Sequence, residues 1–292
     1  MTATERILIL GATGLLGSSL QPFLAGRGRS VIAHGHLAQG AAIAADLTDW
    51  RKTDELLRRA SPDVIINLVA LTDVDRCEVV PDEAYRVNVR VVENVARWIR
   101  ESAFACHLIQ LSTDHVYDGN GPHAEDQVAP RNIYAFSKYA GDLVAVTVSG
   151  SVLRTNFFGR SRCDRRRSLT DWLFGAMKAG TPIQVFDDVL FSPLSIRSLC
   201  EFIDAIIETK PPGFFNLGSR QGMSKADFAY AFAEELNLPT TNVTRTTIGH
   251  ASCGGAYRPR DMRMNCSKME KAIGMILPSL RQEIERTAEE YR

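Results

Sequence analysis

Seven residues near the start of the chain, Gly11-Ala12-Thr13-Gly14-Leu15-Leu16-Gly17, constrain the fold more than any other segment. They follow the apolar run Arg6 to Leu10 and open a segment with helical patterning that extends to about Leu24. A glycine is needed where a strand turns sharply into a helix. A second lets backbone amides approach a pyrophosphate, and a third lets the helix lie close against the sheet. The helix N-terminus adds free N–H donors and the positive end of its dipole. In this strand–turn–helix context, Gly11, Gly14 and Gly17 predict a dinucleotide-binding turn rather than a plain tight turn.

The rest of the first half supports that reading. Val31 to Ala33, Val64 to Val69 and Cys106 to Leu111 are short apolar runs without alternation. Between them Asp49 to Ala60, Asp82 to Arg100 and Tyr134 to Val146 carry helical patterns. In the second of these Ala84, Val87, Val91, Val95 and Trp98 are spaced 3, 4, 4 and 3, one stripe of a helix. Uninterrupted apolar strands alternating with amphipathic helices predict an α/β, Rossmann-type, doubly wound parallel sheet covered on both faces. Beyond Gly150 the alternation loosens. Helices are expected at Ser195–Glu208, Ser224–Leu236 and Pro278–Tyr291, with Ser224 as an N-cap, and a short strand at Phe214–Leu217. We therefore expect a dinucleotide-binding domain over residues 1–155. Residues 156–292 would mainly build a smaller C-terminal α/β substrate lobe, with the chain free to cross back.

Composition excludes several classes. The 292 residues hold 34 Lys plus Arg and 34 Asp plus Glu, so the formal net charge is zero and a nucleic-acid partner is not expected. A hydrophobic fraction of 45% argues against a disordered chain. No apolar run approaches the ~18 residues of a membrane helix, and the glycines at 11, 14 and 17 interrupt the one stretch that resembles a signal peptide. The cysteines at 77, 106, 163, 200, 253 and 266 form no C-x-x-C pair and no zinc-spaced cluster. Reduced thiols in a cytoplasmic protein without a metal are the expectation.

Two further motifs carry chemistry. Tyr134-Ala135-Phe136-Ser137-Lys138 places a phenol and an ammonium at i and i+4, on one helix face. An adjacent cation favours the phenolate of a group whose ordinary pKa, ~10, is too high for acid–base work. Leu111-Ser112-Thr113-Asp114 ends a strand, where doubly wound sheets place ligands, and Thr113 offers a hydroxyl to a substrate carbonyl. The spacing G-x-x-G-x-x-G together with Y-x-x-x-K resembles the extended short-chain dehydrogenase/reductase superfamily. Pro62 to Asn67, Val74 to Glu78, Leu111 to Gly119, Val152 to Thr155, Phe214 to Leu217 and Arg258 to Arg263 narrow this resemblance to the dTDP-4-dehydrorhamnose reductase family, over nearly the whole chain.

That resemblance implies a Thr113–Tyr134–Lys138 catalytic triad. It implies backbone contacts to the pyrophosphate from Gly14, Leu15 and Leu16, and Asp46 and Leu47 flanking the adenine. Val69, Ala70 and Leu71 would lie along the nicotinamide half, with Tyr134 and Lys138 also touching the cofactor. Thr113, Asp114 and Phe157 would hold a nucleotide-sugar substrate. The implied activity is NAD(P)H-dependent reduction of a keto group on a nucleotide-linked deoxysugar. Asn88 matches a family asparagine, but reads equally as a helix-surface polar residue. Two rival readings stay open: a nucleotide-sugar epimerase or dehydratase, and a non-catalytic subunit resembling the methionine adenosyltransferase β subunit. His115 stands where dehydratases have a glutamate and where the reductase family has a tyrosine. A homodimer is also left open.

The run Arg160 to Arg167, five arginines in eight residues, is unlike the family's usual segment. It reads either as a solvated loop or as a phosphate clamp. Val31 to His36 carries no acid to hold both adenosine ribose hydroxyls, and Arg27 and Arg29 lie just before it. NADPH is therefore expected over NADH, with NADH use left open.

Overall fold

The computed structural model describes residues 5–36, 43–102, 105–251 and 255–292, so Cys253 lies outside it; the other five cysteines are unpaired. Seven strands form one parallel sheet: β1 (Arg6–Leu10), β2 (Ser30–Gly35), β3 (Ile43–Ala44), β4 (Val64–Asn67), β5 (His107–Thr113), β6 (Ser151–Thr155) and β7 (Gly213–Leu217). Their order across the sheet is β7-β6-β5-β4-β1-β2-β3. The doubly wound sheet expected from the apolar pattern is thus observed. The order reverses at β1, which pairs with β2 on one side and β4 on the other.

Alternation along β1 sends its side chains to two cores. Leu8 and Leu10 pack with Leu56, Leu57, Val91 and Val95, from the helices Trp50–Ala60 and Val91–Glu101. Ile7 and Ile9 pack with Leu20, Leu24, Leu199 and Ile203, from the helices Gly17–Gly26 and Ile196–Thr209. Both faces are dry, which explains why these strands read as continuous apolar runs. A third cluster, outside the sheet, gathers around Phe228, with Phe158 and Phe191 rings edge-on at 4.7 and 5.4 Å.

The largest departure from the sequence pattern lies between Asp82 and Arg100. A single helix was expected there. The chain instead forms Pro81–Tyr85, a π-helical turn at Arg86–Arg90, and then Val91–Glu101. The cause is Asn88, which is buried, with 1% of its surface exposed. Its Oδ1 accepts from the Leu71 amide at 2.8 Å. Its Nδ2 donates to the Leu71 carbonyl at 3.1 Å and to Ser137 Oγ at 2.9 Å. A π-turn turns this side chain inward, away from the helix-surface position that remained an alternative. Gly141 on the facing helix has no side chain to obstruct the approach: a Cβ there would lie 2.5 Å from the Asn88 carbonyl oxygen.

Smaller differences follow the same logic. The first helix starts at Gly17, the last residue of the glycine segment, because the turn itself occupies the residues before it. β4 stops at Asn67, whose side chain accepts from the Val69 amide, and β5 runs on to Thr113. Helices at Val74–Val79 and Leu169–Ala179 were not expected; Asp73 caps the first, and a Ser168–Asp171 capping box starts the second. Ser224 caps Lys225–Leu236 as expected.

Candidate active site

The carboxyl ends of β1, β2, β4 and β5 open into a cleft of about 770 Å³. Register decides what reaches it. Leu10 lies opposite His34 and Asn67, and Asn67 lies opposite Gln110, so Leu111 to Thr113 extend beyond the neighbouring strand. On one wall the amides of Gly11 and Ala12 donate to the His34 carbonyl at 3.2 and 2.8 Å, and Gly11 takes a φ of +83°. Gly17 lies so close to this turn that a Cβ would stand 2.4 Å from the Gly11 oxygen. Bare backbone therefore meets the cleft beside a helix N-terminus, and a dinucleotide pyrophosphate fits that surface.

The expected cofactor residues Gly11, Gly14, Leu15, Leu16, Gly17, Asp46, Leu47, Val69 and Ala70 all line this cleft. Leu71 does not; its backbone is taken up by Asn88. Asp46 is held by the hydroxyl and amide of Thr48 at 2.7 and 3.0 Å, and these bonds keep its carboxyl below the usual range. Arg27 and Arg29 are not near this wall. Arg29 is committed to Asp204 and Glu208, and Arg27 lies over the Phe23 ring. His34 and His36 do line the cleft, but burial pushes the His34 imidazole down, to its neutral form. Neither arginine expected near a 2′-phosphate therefore reaches the cleft, whereas His36 lines it.

The opposite wall brings together Thr113, Tyr134, Lys138, Asp114 and Phe157. Thr113 Oγ1 accepts from the His115 amide at 3.2 Å. Burial pushes the Tyr134 phenol well above its ordinary range, and the Thr113 hydroxyl acts in the other direction. With the cleft as it stands, burial outweighs any pull toward the phenolate, and Tyr134 carries its proton at neutral pH. Lys138 Nζ donates to the Leu111 carbonyl at 2.7 Å. Burial lowers it to about 8, while the Asp142 carboxylate acts to raise it. Asp142 in turn accepts from Ser112 Oγ at 2.9 Å and Arg154 Nε at 3.3 Å, fully buried beneath the site.

Asn156, Thr13, Arg165 and Arg166 also line the cleft, and the motif reading did not single out the first two. Asn156 Nδ2 donates to Asp114 Oδ2 at 2.8 Å. Burial nevertheless raises the Asp114 carboxyl to about 6. The available signal for Asn156 is its place directly after β6, at a carboxyl strand end. His115 lies edge-on to the Tyr134 ring at 5.5 Å, and burial lowers it to about 3, so it stands neutral there.

A glycine turn at the point of strand reversal, facing a hydroxyl, a phenol and an ammonium across one cleft, defines a Rossmann-type oxidoreductase of the short-chain dehydrogenase/reductase class. The family model described as the RmlD substrate binding domain matches residues 5–292, and the chain belongs to that family. The resemblance read from the motifs is borne out. The dTDP-4-dehydrorhamnose reductase of Escherichia coli is 28% identical over 289 residues, covering 93% of this chain and 93% of that protein. Methionine adenosyltransferase 2 subunit beta of Rattus norvegicus is 27% identical over 300 residues, covering 94% of this chain and 85% of its own length. The crystal structure of a Bacillus anthracis dTDP-4-dehydrorhamnose reductase in complex with NADP superposes with a TM-score of 0.87 at 26% identity, covering 99% of each chain.

Proposed function

We propose that the protein is an NADPH-dependent reductase of a keto group on a nucleotide-linked deoxysugar, most simply a dTDP-4-keto-hexose. The observation that carries this reading is the single cleft shared by the glycine turn and by Thr113, Tyr134 and Lys138. The similarity to the Escherichia coli and Bacillus anthracis reductases supports it. When bound, the dinucleotide supplies the hydride. The chain supplies everything else. Gly11 to Gly17 bind the pyrophosphate, Asp46 and Leu47 flank the adenine, and Val69 and Ala70 border the nicotinamide half.

Tyr134, neutral at physiological pH, gives its proton to the alkoxide oxygen as it forms. The Thr113 hydroxyl donates to the same oxygen and so orients it. Lys138 spends one N–H on Leu111, leaving two to hold the nicotinamide ribose and the phenol oxygen. Asp114 and Phe157 border the sugar. The reading divides the chain into a dinucleotide-binding part over 1–155, joined by β7, and a substrate part over most of 156–292. It also implies a cytoplasmic location, where NADPH and nucleotide sugars occur together; among the described residues, no helix is long and apolar enough to cross a membrane. Homodimer formation is a further expectation, checked by light scattering.

The test is NADPH oxidation with a panel of nucleotide 4-keto sugars. Tyr134→Phe should lower kcat by about 10²–10⁴-fold, with NADPH affinity within about threefold of wild type. Normal turnover by that variant would remove Tyr134 as the proton donor. The similarity to the methionine adenosyltransferase subunit favours a second reading, a dinucleotide-binding regulatory subunit. Tight NADPH binding without turnover across the panel would support it over the first.

A further inference from the structure

The arginine-rich segment 160–167 is not a free surface loop. Its base is pinned: the Ser161 amide donates to Asp171 Oδ2 at 3.1 Å, and Arg160 donates to the Glu290 carbonyl at 2.6 Å. The Ser161 hydroxyl reaches the Arg166 carbonyl at 2.7 Å and closes the segment into a turn. Its tip touches both lips of the cleft. Cys163 Sγ donates to the Thr13 carbonyl at 3.3 Å, within the glycine turn after β1. Arg166 donates to Thr72 Oγ1 at 2.9 Å, on the segment after β4. The loop thus spans the point where the strand order reverses, and Arg165 and Arg166 line the cleft there.

Charge makes the placement informative. Arg166 makes no ion pair among the described residues, and its bond to a neutral hydroxyl leaves its charge uncompensated. The acids of the same cleft are engaged elsewhere: Glu83 with Arg76, Asp46 with Thr48, Asp114 with Asn156. Arg165 and Arg166 line the same cleft as the glycine turn, and two guanidinium groups in one cleft suit an anion with several oxygens.

We propose that Arg165 and Arg166 form a second, cationic wall for the dinucleotide pyrophosphate, opposite the Gly11–Gly17 turn. The contact to Thr13 assigns the loop to the cofactor's diphosphate rather than to that of a nucleotide sugar. It also sets the loop apart from the 2′-phosphate position, which lies past β2 by His36. The proposal rests on the cofactor reading above.

Fluorescence titrations of NADPH, NADH and dTDP against wild type, Arg165→Gln, Arg166→Gln, the double variant and Arg167→Gln test it. Each single variant should weaken both dinucleotides by on the order of tenfold, and the double variant by more, with a flatter salt dependence. NADPH and NADH should lose affinity equally, because the pyrophosphate is common to both. Arg167, outside the cleft lining, should matter less than about twofold. Arg166→Lys should recover part of the loss. Unchanged dinucleotide affinity in the double variant overturns the proposal, as does a loss confined to NADPH, which would mark a 2′-phosphate site. A loss seen only with dTDP would assign the loop to the substrate instead. Failure of the wild-type protein to bind either dinucleotide would overturn the cofactor reading itself, a separate and distinguishable result.

Discussion

Replacing Gly17 by alanine probes the joint between fold and cofactor site. The new Cβ would stand 2.4 Å from the Gly11 oxygen, 2.6 Å from Ala12 Cα and 2.7 Å from the Ala12 carbonyl carbon. Ordinary carbon contacts lie at ~3.5–4.0 Å, so the helix and the turn must separate by about 1 Å. All three obstructing atoms are backbone, and no side chain can swing aside. Overpacking of this kind costs ~1–3 kcal/mol, and the small gain in helix propensity offsets only part of it. A net loss of about 2 kcal/mol corresponds to roughly 4 °C in melting temperature for a chain of this size. Because the displaced atoms belong to the turn proposed to bind the pyrophosphate, NADPH affinity should fall at least about tenfold as well. Two neighbours calibrate the result. A Cβ on Gly14 meets only the Gly11 oxygen, at 3.3 Å, and one on Gly26 meets nothing within 4 Å. Gly14→Ala should be mild, and Gly26→Ala neutral or stabilising by up to ~1 kcal/mol. Thermal melting and NADPH titration of the three variants provide the readout. A Gly17→Ala protein that melts and binds as wild type does would refute the close-packing argument.

Further perturbations test other parts of the structure. Asn88→Ala removes the three bonds that hold the π-turn to Leu71 and Ser137; chemical denaturation should register a loss of ~2–3 kcal/mol. Burial, with a smaller contribution from Lys210, lowers His107 from 6.5 to about 4. Above pH 6.5 it is neutral in both states. Below that, the unfolded chain takes up a proton that the folded protein refuses until about pH 4, so stability falls as the solution is acidified through this window. His107→Gln should remove a part of that acid sensitivity on the order of 1–3 kcal/mol, and a denaturation series at pH 4.5 and 7 that shows equal losses in both proteins would refute the assignment. Lys138 should lose its proton near pH 8, so reductase turnover should decline as pH rises through about 8. A flat kcat/KM profile across pH 7–9 would mean that its ammonium is not needed.

The buried groups explain why the chemistry of the site was harder to read than its location. Tyr134 and Lys138 share a helix face by spacing alone, and that much holds for any helix containing them. Spacing suggested that the ammonium would favour the phenolate. In the structure Lys138 gives one of its three N–H groups to the Leu111 carbonyl, and burial of Tyr134 outweighs other influences, so the phenol stays protonated. For a reductase that must deliver a proton, the neutral form is the useful one. Likewise, Arg27 and Arg29 are near β2 in sequence, yet Asp204 and Glu208, about 175 residues further on, draw Arg29 away from the cofactor wall.

By itself the sequence determined the parallel sheet and the glycine turn, because these rest on local signals, and its resemblance pointed to Thr113, Tyr134 and Lys138, which line one cleft. Continuous apolar strands demand cover on both faces, glycines mark where backbone must bend or touch, and an i, i+4 pair shares a helix face whatever lies beyond it. Only the tertiary structure decided the rest. It brought β7 from residues 213–217 to the edge of the sheet. It broke the helix at Asn88 to satisfy a loop 17 residues away. It also laid the Arg160–Arg167 segment across Thr13 and Thr72, which are 150 and 94 residues from their partners. Each of these depends on long-range packing and on where buried polar groups find partners, and neither leaves a periodic trace in the chain.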